Sequence, residues 1–186
     1  MKKFIRVIGF DDMPFNKFKD KRTRIIGTIF RGKYQIEGFL SISVKVDGDD
    51  STKKIISVIE RSKFKSQLRA IFTDGIAFGG FNIFDPYRIY EKLKIPVIII
   101  CRKKPDIKKI KNVLKRLKKE REIKIIDKIP EPKAFSGIYY QNIGIDDKKT
   151  KELINLFRFV SLVPEPIRIS HLIGQALKYR ESKGNV

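Results

Sequence analysis

The run Val97-Ile98-Ile99-Ile100-Cys101, set off by Pro96, constrains the fold most. A strand apolar on every residue has to be covered on both faces, as at the centre of a layered sheet. A second stretch asks for the opposite. Ile42, Val44 and Val46 alternate with Ser41, Ser43 and Lys45, the period of a strand with one solvated face. One sheet with a covered centre and a half-solvated margin meets both demands. The apolar run is also the longest in the chain, far short of the ~20 residues of a membrane span. The 186 residues fit a single domain, expected over 1–186. One cysteine excludes an intramolecular disulfide and a cysteine-based zinc site. Met1-Lys2-Lys3-Phe4-Ile5-Arg6 has charge but no apolar stretch after it, so no signal peptide is visible and a cytoplasmic protein is expected.

The flanking pattern predicts an element order. Strands are expected over Lys3–Phe10, Thr23–Phe30 and Tyr34–Val46, the last two joined by Arg31-Gly32-Lys33 as an antiparallel hairpin. A helix follows the Asp47–Thr52 turn, with Ile55, Ile56, Val58 and Ile59 on its buried face. Then come a strand over Gln67–Thr73, a loop with Gly75, Gly79 and Gly80, a helix over Pro86–Leu93 and the Pro96–Cys101 strand. Helical spacing of Ile107, Ile110, Val113, Leu114 and Leu117 predicts one helix to Arg121, then short strands at Ile123–Ile126 and Ser136–Gln141. Two last helices are expected over Lys148–Val160 and Pro166–Tyr179. Three antiparallel strands, helix, strand, helix, strand and final helices are the order of a ribonuclease-H-like α/β fold: a mixed five-stranded sheet flanked by helices, with C-terminal helices. In that fold, acids at the ends of the first strands and the fourth strand converge on one edge and hold divalent metal.

Charge narrows the partner. Lysine and arginine number 42 against 21 acids, a net charge of +21. Such a surplus repels itself in the folded state and usually goes with a polyanion, nucleic acid first. A thermophile's lysine-rich surface is the plain alternative, but it pairs lysine with glutamate, and here the acids lag two to one. The density peaks between Arg102 and Lys124, with twelve basic and three acidic residues. Lys108, Lys111, Lys115 and Lys118 on that helix are candidates for phosphate contacts that give affinity without sequence information.

The scarce acids gather at predicted strand ends: Asp11 and Asp12 after the first, Asp47, Asp49 and Asp50 after the third, Asp74 after the fourth. Asp-Gly is turn chemistry and Asp before a helix is a cap, so each alone has a plain explanation. As a set they suit Mg2+ or Mn2+, which take one or two carboxylates and keep waters. His171, the lone histidine, lies on the last helix.

Val163-Pro164-Glu165-Pro166-Ile167-Arg168-Ile169-Ser170-His171 resembles the C-terminal signature of endonuclease V, where a Pro-Glu-Pro-x-Arg stretch opens a helix whose histidine lies beside the metal. Val7-Ile8-Gly9-Phe10-Asp11-Asp12 is similar to that family's first strand, and Asp74-Gly75 to the Asp-Gly after its fourth. More closely still, the whole chain resembles the archaeal endonuclease dU family. That match is carried by Ile8–Asp12, Val46–Thr52, Gly79-Gly80-Phe81-Asn82, Pro96–Ile99 with Arg102–Asp106, and Val163–Pro166. The resemblance implies a metal-dependent endonuclease cutting DNA beside a deaminated base, deoxyuridine or deoxyinosine. Asp11, Asp47 or Asp50, and Asp74 would be the acids, His171 would steady water or phosphate, and Arg168 would lie along the nucleic acid. Two positions depart from endonuclease V. Counting from Gly38, its third-strand glutamate falls on Val44, with Asp47 three residues on and Asp50 beyond. Its strand-parting Pro-Tyr-x-Pro-Gly becomes Tyr34-Gln35-Ile36-Glu37-Gly38, which keeps the aromatic and the glycine. A non-catalytic nucleic-acid-binding protein of the same fold, possibly acting on RNA, is the alternative.

Overall fold

The computed structural model describes residues 4–182. The meander is β1 (Arg6–Asp12), β2 (Arg22–Arg31) and β3 (Gln35–Lys45), followed by α1 (Ser51–Glu60) and β4 (Leu68–Asp74). A two-stranded hairpin, β5 (Ala77–Phe78) and β6 (Asn82–Ile83), leads to α2 (Pro86–Leu93) and β7 (Val97–Cys101). Next are α3 (Ile107–Arg116), α4 (Glu120–Lys128), β8 (Lys133–Phe135), β9 (Ile138–Ile143), α5 (Asp147–Phe157) and α6 (Glu165–Tyr179). The main sheet runs β3-β2-β1-β4-β7-β9-β8. β4 lies parallel to β1 and β7 parallel to β4, while the meander and the β8–β9 extension pair antiparallel. Among the described residues no helix is long and apolar enough to cross a membrane.

The first five strands of that order match the expected ribonuclease-H-like sheet, and several corrections follow. The sheet has seven strands rather than five, because β8 and β9 extend it past β7. The basic helix is also two helices. Lys118 takes a left-handed φ of 55°, and the N–H of Lys119 turns back to the Leu114 carbonyl at 2.9 Å, closing α3. Ile123–Ile126 then falls inside α4 rather than on a strand. Its isoleucines and Leu114 cover the β5–β6 hairpin at Ile83 and Phe81, which a helical face does as well as a strand. Ser136 and Gly137 form the β8–β9 turn at positive φ, so the last strand starts at Ile138.

The two sheet faces bury separate cores. Ile8, Phe10, Ile71 and Ile99 turn toward α1 and α2. Val7, Phe72, Ile98 and Ile100 turn toward α5 and α6, meeting Phe157 and Ile167. Val97 through Ile100 are each 0% exposed, as an apolar strand covered on both faces requires. At about 2 kcal/mol per buried side chain this centre anchors the sheet.

The last helix, α6, lies across β1, β2 and β4. Its approach depends on Gly9: a Cβ there would stand 2.5 Å from Pro166. Ser170 Oγ donates to the Gly9 carbonyl at 2.8 Å and shares a 2.7 Å hydrogen bond with Thr28 Oγ1. Glycine on the strand and Pro-Ile on the helix thus set α6 one turn from the end of β1.

Candidate functional site

Strand parity assembles the site. On β1, Val7 and Gly9 face α6, so Asp11 does too. On β4, Ala70 and Phe72 face the same way, and so does Asp74. The parallel register pairs Phe10 with Thr73. The next residues, Asp11 and Asp74, therefore stand side by side where β1 and β4 end. α6 brings His171 over them: Nδ1 lies 2.8 Å from Asp11 Oδ2, and Nε2 lies 2.9 Å from Gln175 Nε2, one turn further on. An amide nitrogen only donates. In the neutral ring Nε2 accepts it, and Nδ1 carries the proton donated to Asp11. The other Asp11 oxygen accepts the Asp12 N–H at 2.8 Å.

The crowding shows in the ionisation. Burial pushes the Asp74 carboxyl up to about 6, the charge of Asp11 adds to it, and Arg102 and His171 pull against it. Asp12 has the opposite parity and points at the β5–β6 hairpin, where its Oδ2 accepts the Gly79 N–H. Burial pushes it up to about 7; Asp11 and Asp74 add to the rise and the Gly79 hydrogen bond opposes it. His171 is raised, chiefly by its hydrogen bond to Asp11, against the effect of burial. Arg102 follows β7, the strand beside β4, and its charge reaches both Asp74 and His171. Cys101 is pushed up to about 11 by burial and by Asp74, so its thiol stays protonated and inert.

Asp47 and Asp50 are placed elsewhere. Asp47 Oδ1 accepts the Phe81 N–H at 2.7 Å, and its own N–H donates to the Gly79 carbonyl at 2.8 Å. Asp50 Oδ1 accepts from Asn82 Nδ2 at 2.7 Å and from the Lys45 N–H at 3.1 Å, and Lys54 lies 3.0 Å from its other oxygen. Both are fastened to the Gly79-Gly80-Phe81-Asn82 segment. A Cβ on Gly80 would meet Asp47 Oδ1 at 2.3 Å, so glycine there serves close packing. Val44 is fully buried under this hairpin in the α1–α2 core. The structure therefore joins Asp11, Asp74 and His171, and leaves Asp47 and Asp50 in a separate cluster bound to the hairpin.

Among the proposed nucleic-acid residues, Lys108, Lys115 and Lys118 are exposed, while Lys111 pairs with Asp127. Arg168 grips buried Glu165, with Nε 2.9 and 2.8 Å from its two carboxylate oxygens, and so holds the start of α6. Tyr34 is exposed in the β2–β3 turn, edge-on to Phe159 with ring centres 4.9 Å apart. That turn lies at the Arg6 end of β1, since Arg6 pairs with Arg31 while Asp12 pairs with Ile25. The acids are roughly 20 Å away along the strand. Two neighbours of the site were not among the sequence candidates, Arg102 and Gln175, while Asp12 was named only as one of the acids at the strand ends. Gln175 was discoverable as the i+4 partner of His171, and Arg102 as the residue after the central strand.

The donors suit a hard divalent ion: two adjacent carboxylates, the charge of Asp11 raising the proton affinity of Asp74, with an imidazole beside them. Among the described residues, no group of three His, Cys, Asp or Glu gathers closely enough to enclose a metal ion. Mg2+ is commonly held by one or two carboxylates, with water and phosphate completing its shell, so the Asp11–Asp74 pair is of a fitting kind.

A seven-stranded sheet in ribonuclease-H-like order, edged by paired carboxylates under a helical histidine, defines the class. Within it, the chain belongs to the endonuclease dU family, whose model matches residues 3–178. Its relatives are archaeal. The UPF0215 protein of Methanocaldococcus jannaschii is 42% identical over 177 residues, covering 94% of this chain and 95% of that protein. That of Methanothermobacter thermautotrophicus is 35% identical over 190 residues, covering 100% and 93%. The crystal structure of a protein of unknown function from Archaeoglobus fulgidus is 36% identical, with a TM-score of 0.87 over 93% of this chain and 98% of that one. Endonuclease V of Ciona intestinalis, solved with a 24-mer DNA containing an inosine followed by a ribo-adenosine, is 14% identical. Its TM-score is 0.57 over 90% of this chain and 83% of that one, a likeness of fold.

Proposed function

We propose that this protein is a metal-dependent endonuclease that hydrolyses the DNA backbone near deaminated bases, deoxyuridine or deoxyinosine, as a repair activity. One observation carries the reading: Asp11 and Asp74 end adjacent parallel strands on one face, with His171 bonded to Asp11 above them. A bound Mg2+ or Mn2+ would neutralise phosphate charge and lower the pKa of a coordinated water. Asp11 and Asp74 would hold the ion. Asp11 also orients His171 through Nδ1, which leaves Nε2, now on Gln175, as the ring atom able to meet a water or phosphate oxygen. Arg102 offers a guanidinium to the strand on the β7 side. The surplus of 21 positive charges draws the polyanion from any direction.

Membership of a family described as endonuclease dU supports hydrolysis. One finding favours the second reading, a non-catalytic binder of DNA or RNA: the third-strand acid position is Val44, and Asp47 is tied to the hairpin. The deciding experiment uses matched oligonucleotides, DNA and RNA, with and without deoxyuridine or deoxyinosine, in Mg2+, Mn2+ or EDTA. Cutting that needs a divalent ion and prefers the modified strand is expected. Binding with no cutting of any oligonucleotide establishes the second reading.

A further inference from the structure

One set of unpaired cations lies away from the carboxylate edge. α2 and α4 flank a groove of about 460 Å3 on the α1–α2 side of the sheet, opposite α6. Arg88 and Lys92 line it from α2, and Arg121, Lys124 and Lys128 from α4. None of the five forms an ion pair among the described residues, whereas nearby Lys111 and Lys119 are matched to Asp127 and Glu122. Two acids share the groove. Asp85 caps α2, accepting the Arg88 N–H at 3.0 Å, and Glu91 is the second. Tyr87 Oη on α2 donates to the Lys128 carbonyl at the end of α4 at 2.9 Å and ties the two walls together there.

Arg121, Lys124 and Lys128 follow at i, i+3 and i+7, one stripe of α4 roughly 10 Å long. Three cations within that length are spaced on the scale of successive phosphates along a nucleic-acid backbone. Five cations against two acids, in a walled groove with a tyrosine floor, match a continuous phosphodiester backbone better than a compact anion. We propose that the α2–α4 groove is a second nucleic-acid contact, taking the phosphodiester backbone of duplex DNA without regard to sequence and independently of the carboxylate edge. The proposal shares with the function above only the class of ligand.

The test measures binding of an unmodified duplex of about 30 base pairs against KCl in EDTA, where no hydrolysis intervenes. One triple variant removes the groove cations (Arg88→Gln, Lys124→Gln, Lys128→Gln), keeping a polar side chain at each position. A second removes equal charge from exposed positions elsewhere (Lys53→Gln, Lys65→Gln, Lys148→Gln). The groove triple is expected to flatten the log–log salt slope by about 2 to 3, at about 0.9 for each phosphate it no longer neutralises, and the control by under about 0.5. Equal flattening by both would mean that net charge alone acts, and would overturn the groove. So would an unchanged slope in the groove triple while wild type binds. If wild type binds no duplex at all, the groove falls, and the cutting assay still decides the function above on its own. Cutting of modified DNA lost in another variant, with this slope intact, leaves the groove standing.

Discussion

Two acidic clusters lie within reach of the same hairpin and are built on opposite principles. In the β3–α1 loop, Asp47 and Asp50 are satisfied: backbone N–H groups, the Asn82 amide and Lys54 point at their oxygens. At the ends of β1 and β4, Asp11, Asp12 and Asp74 crowd together, and the ionised forms of Asp12 and Asp74 are disfavoured by burial and by the charge of their acidic neighbours. Charges settled by hydrogen bonds hold a fold together. Charges gathered at a cost to the folded state mark where a further positive charge belongs. The difference separates a latch from a candidate site, although both began as aspartates at strand ends.

Removing charge while keeping shape should part the two clusters most widely. Asp11→Asn is expected to reduce divalent-dependent cutting roughly a thousand-fold, about 4 kcal/mol of barrier. Asp74→Asn should behave alike, with duplex affinity equal or slightly higher, because a negative charge near phosphate is gone. Asp47→Asn and Asp50→Asn should stay within about tenfold of wild type. Steady-state cutting of a modified oligonucleotide decides it. If Asp47→Asn is as inactive as Asp11→Asn, the latch supplies a ligand and the two clusters are one site.

Truncation should reverse the ranking. Asp47→Ala strands the half-buried Phe81 N–H and places alanine at a φ of 51°, and Asp50→Ala strands Asn82 and the Lys45 N–H. Each is expected to lose about 2 kcal/mol of stability. Denaturant unfolding near neutral pH measures this. A loss below about 0.5 kcal/mol would mean the latch is ornamental.

The clusters should also answer pH with opposite slopes. Asp12 and Asp74 bind protons more tightly folded than unfolded. Between pH about 4 and about 7 the folded state therefore holds more protons, and stability falls as pH rises through that window. Asp50 has a lowered pKa: burial opposes the shift, but hydrogen bonds from Asn82, Lys54 and the Lys45 N–H outweigh it. Its contribution is present above the unfolded value and is lost as pH falls through the folded one. Asp12→Asn, which keeps an oxygen for Gly79, should raise stability at about pH 8 by on the order of 1–2 kcal/mol and change little at about pH 4. Melting curves in EDTA across that range test the sign. In Mg2+ at about pH 8, wild type should melt higher than in EDTA, and Asp11→Asn/Asp74→Asn should show no such gain.

How much of this was legible in the sequence follows from which signals are local. The apolar run at Val97 and the alternation before Val46 report the face each residue turns to, so the sheet and its covered centre could be read from them. The pairing of Asp11 with Asp74 was also within reach, because both end strands that the fold order makes neighbours. The placement of Asp47 and Asp50 was not. It depends on a short hairpin whose tip, Gly79 to Phe81, binds two loops distant in sequence, and no periodicity announces such a contact. The break at Lys118 was hidden for another reason: a lysine at positive φ carries no glycine to mark it. Arg168, which the resemblance put along the nucleic acid, instead grips Glu165, an acid that the fold buries, and nothing local in the sequence announces that burial.

The smallest expected effect falls on Gln175 and separates orienting from coordinating. Gln175 meets His171 Nε2 at 2.9 Å, on the far side of the ring from Asp11. Gln175→Leu removes a donor that fixes which ring nitrogen is protonated, yet leaves Asp11, Asp74 and the Nδ1 hydrogen bond in place. Cutting should slow only about three- to fivefold, under about 1 kcal/mol, where His171→Ala costs roughly ten- to a hundredfold. The discriminating readout is the pH–rate profile. With Gln175 gone, the donor that opposes a second ring proton is lost, so the limb of the profile due to His171 should shift toward higher pH. An unchanged profile with a slower rate would mean that Gln175 only packs, and that His171 is set by Asp11 alone.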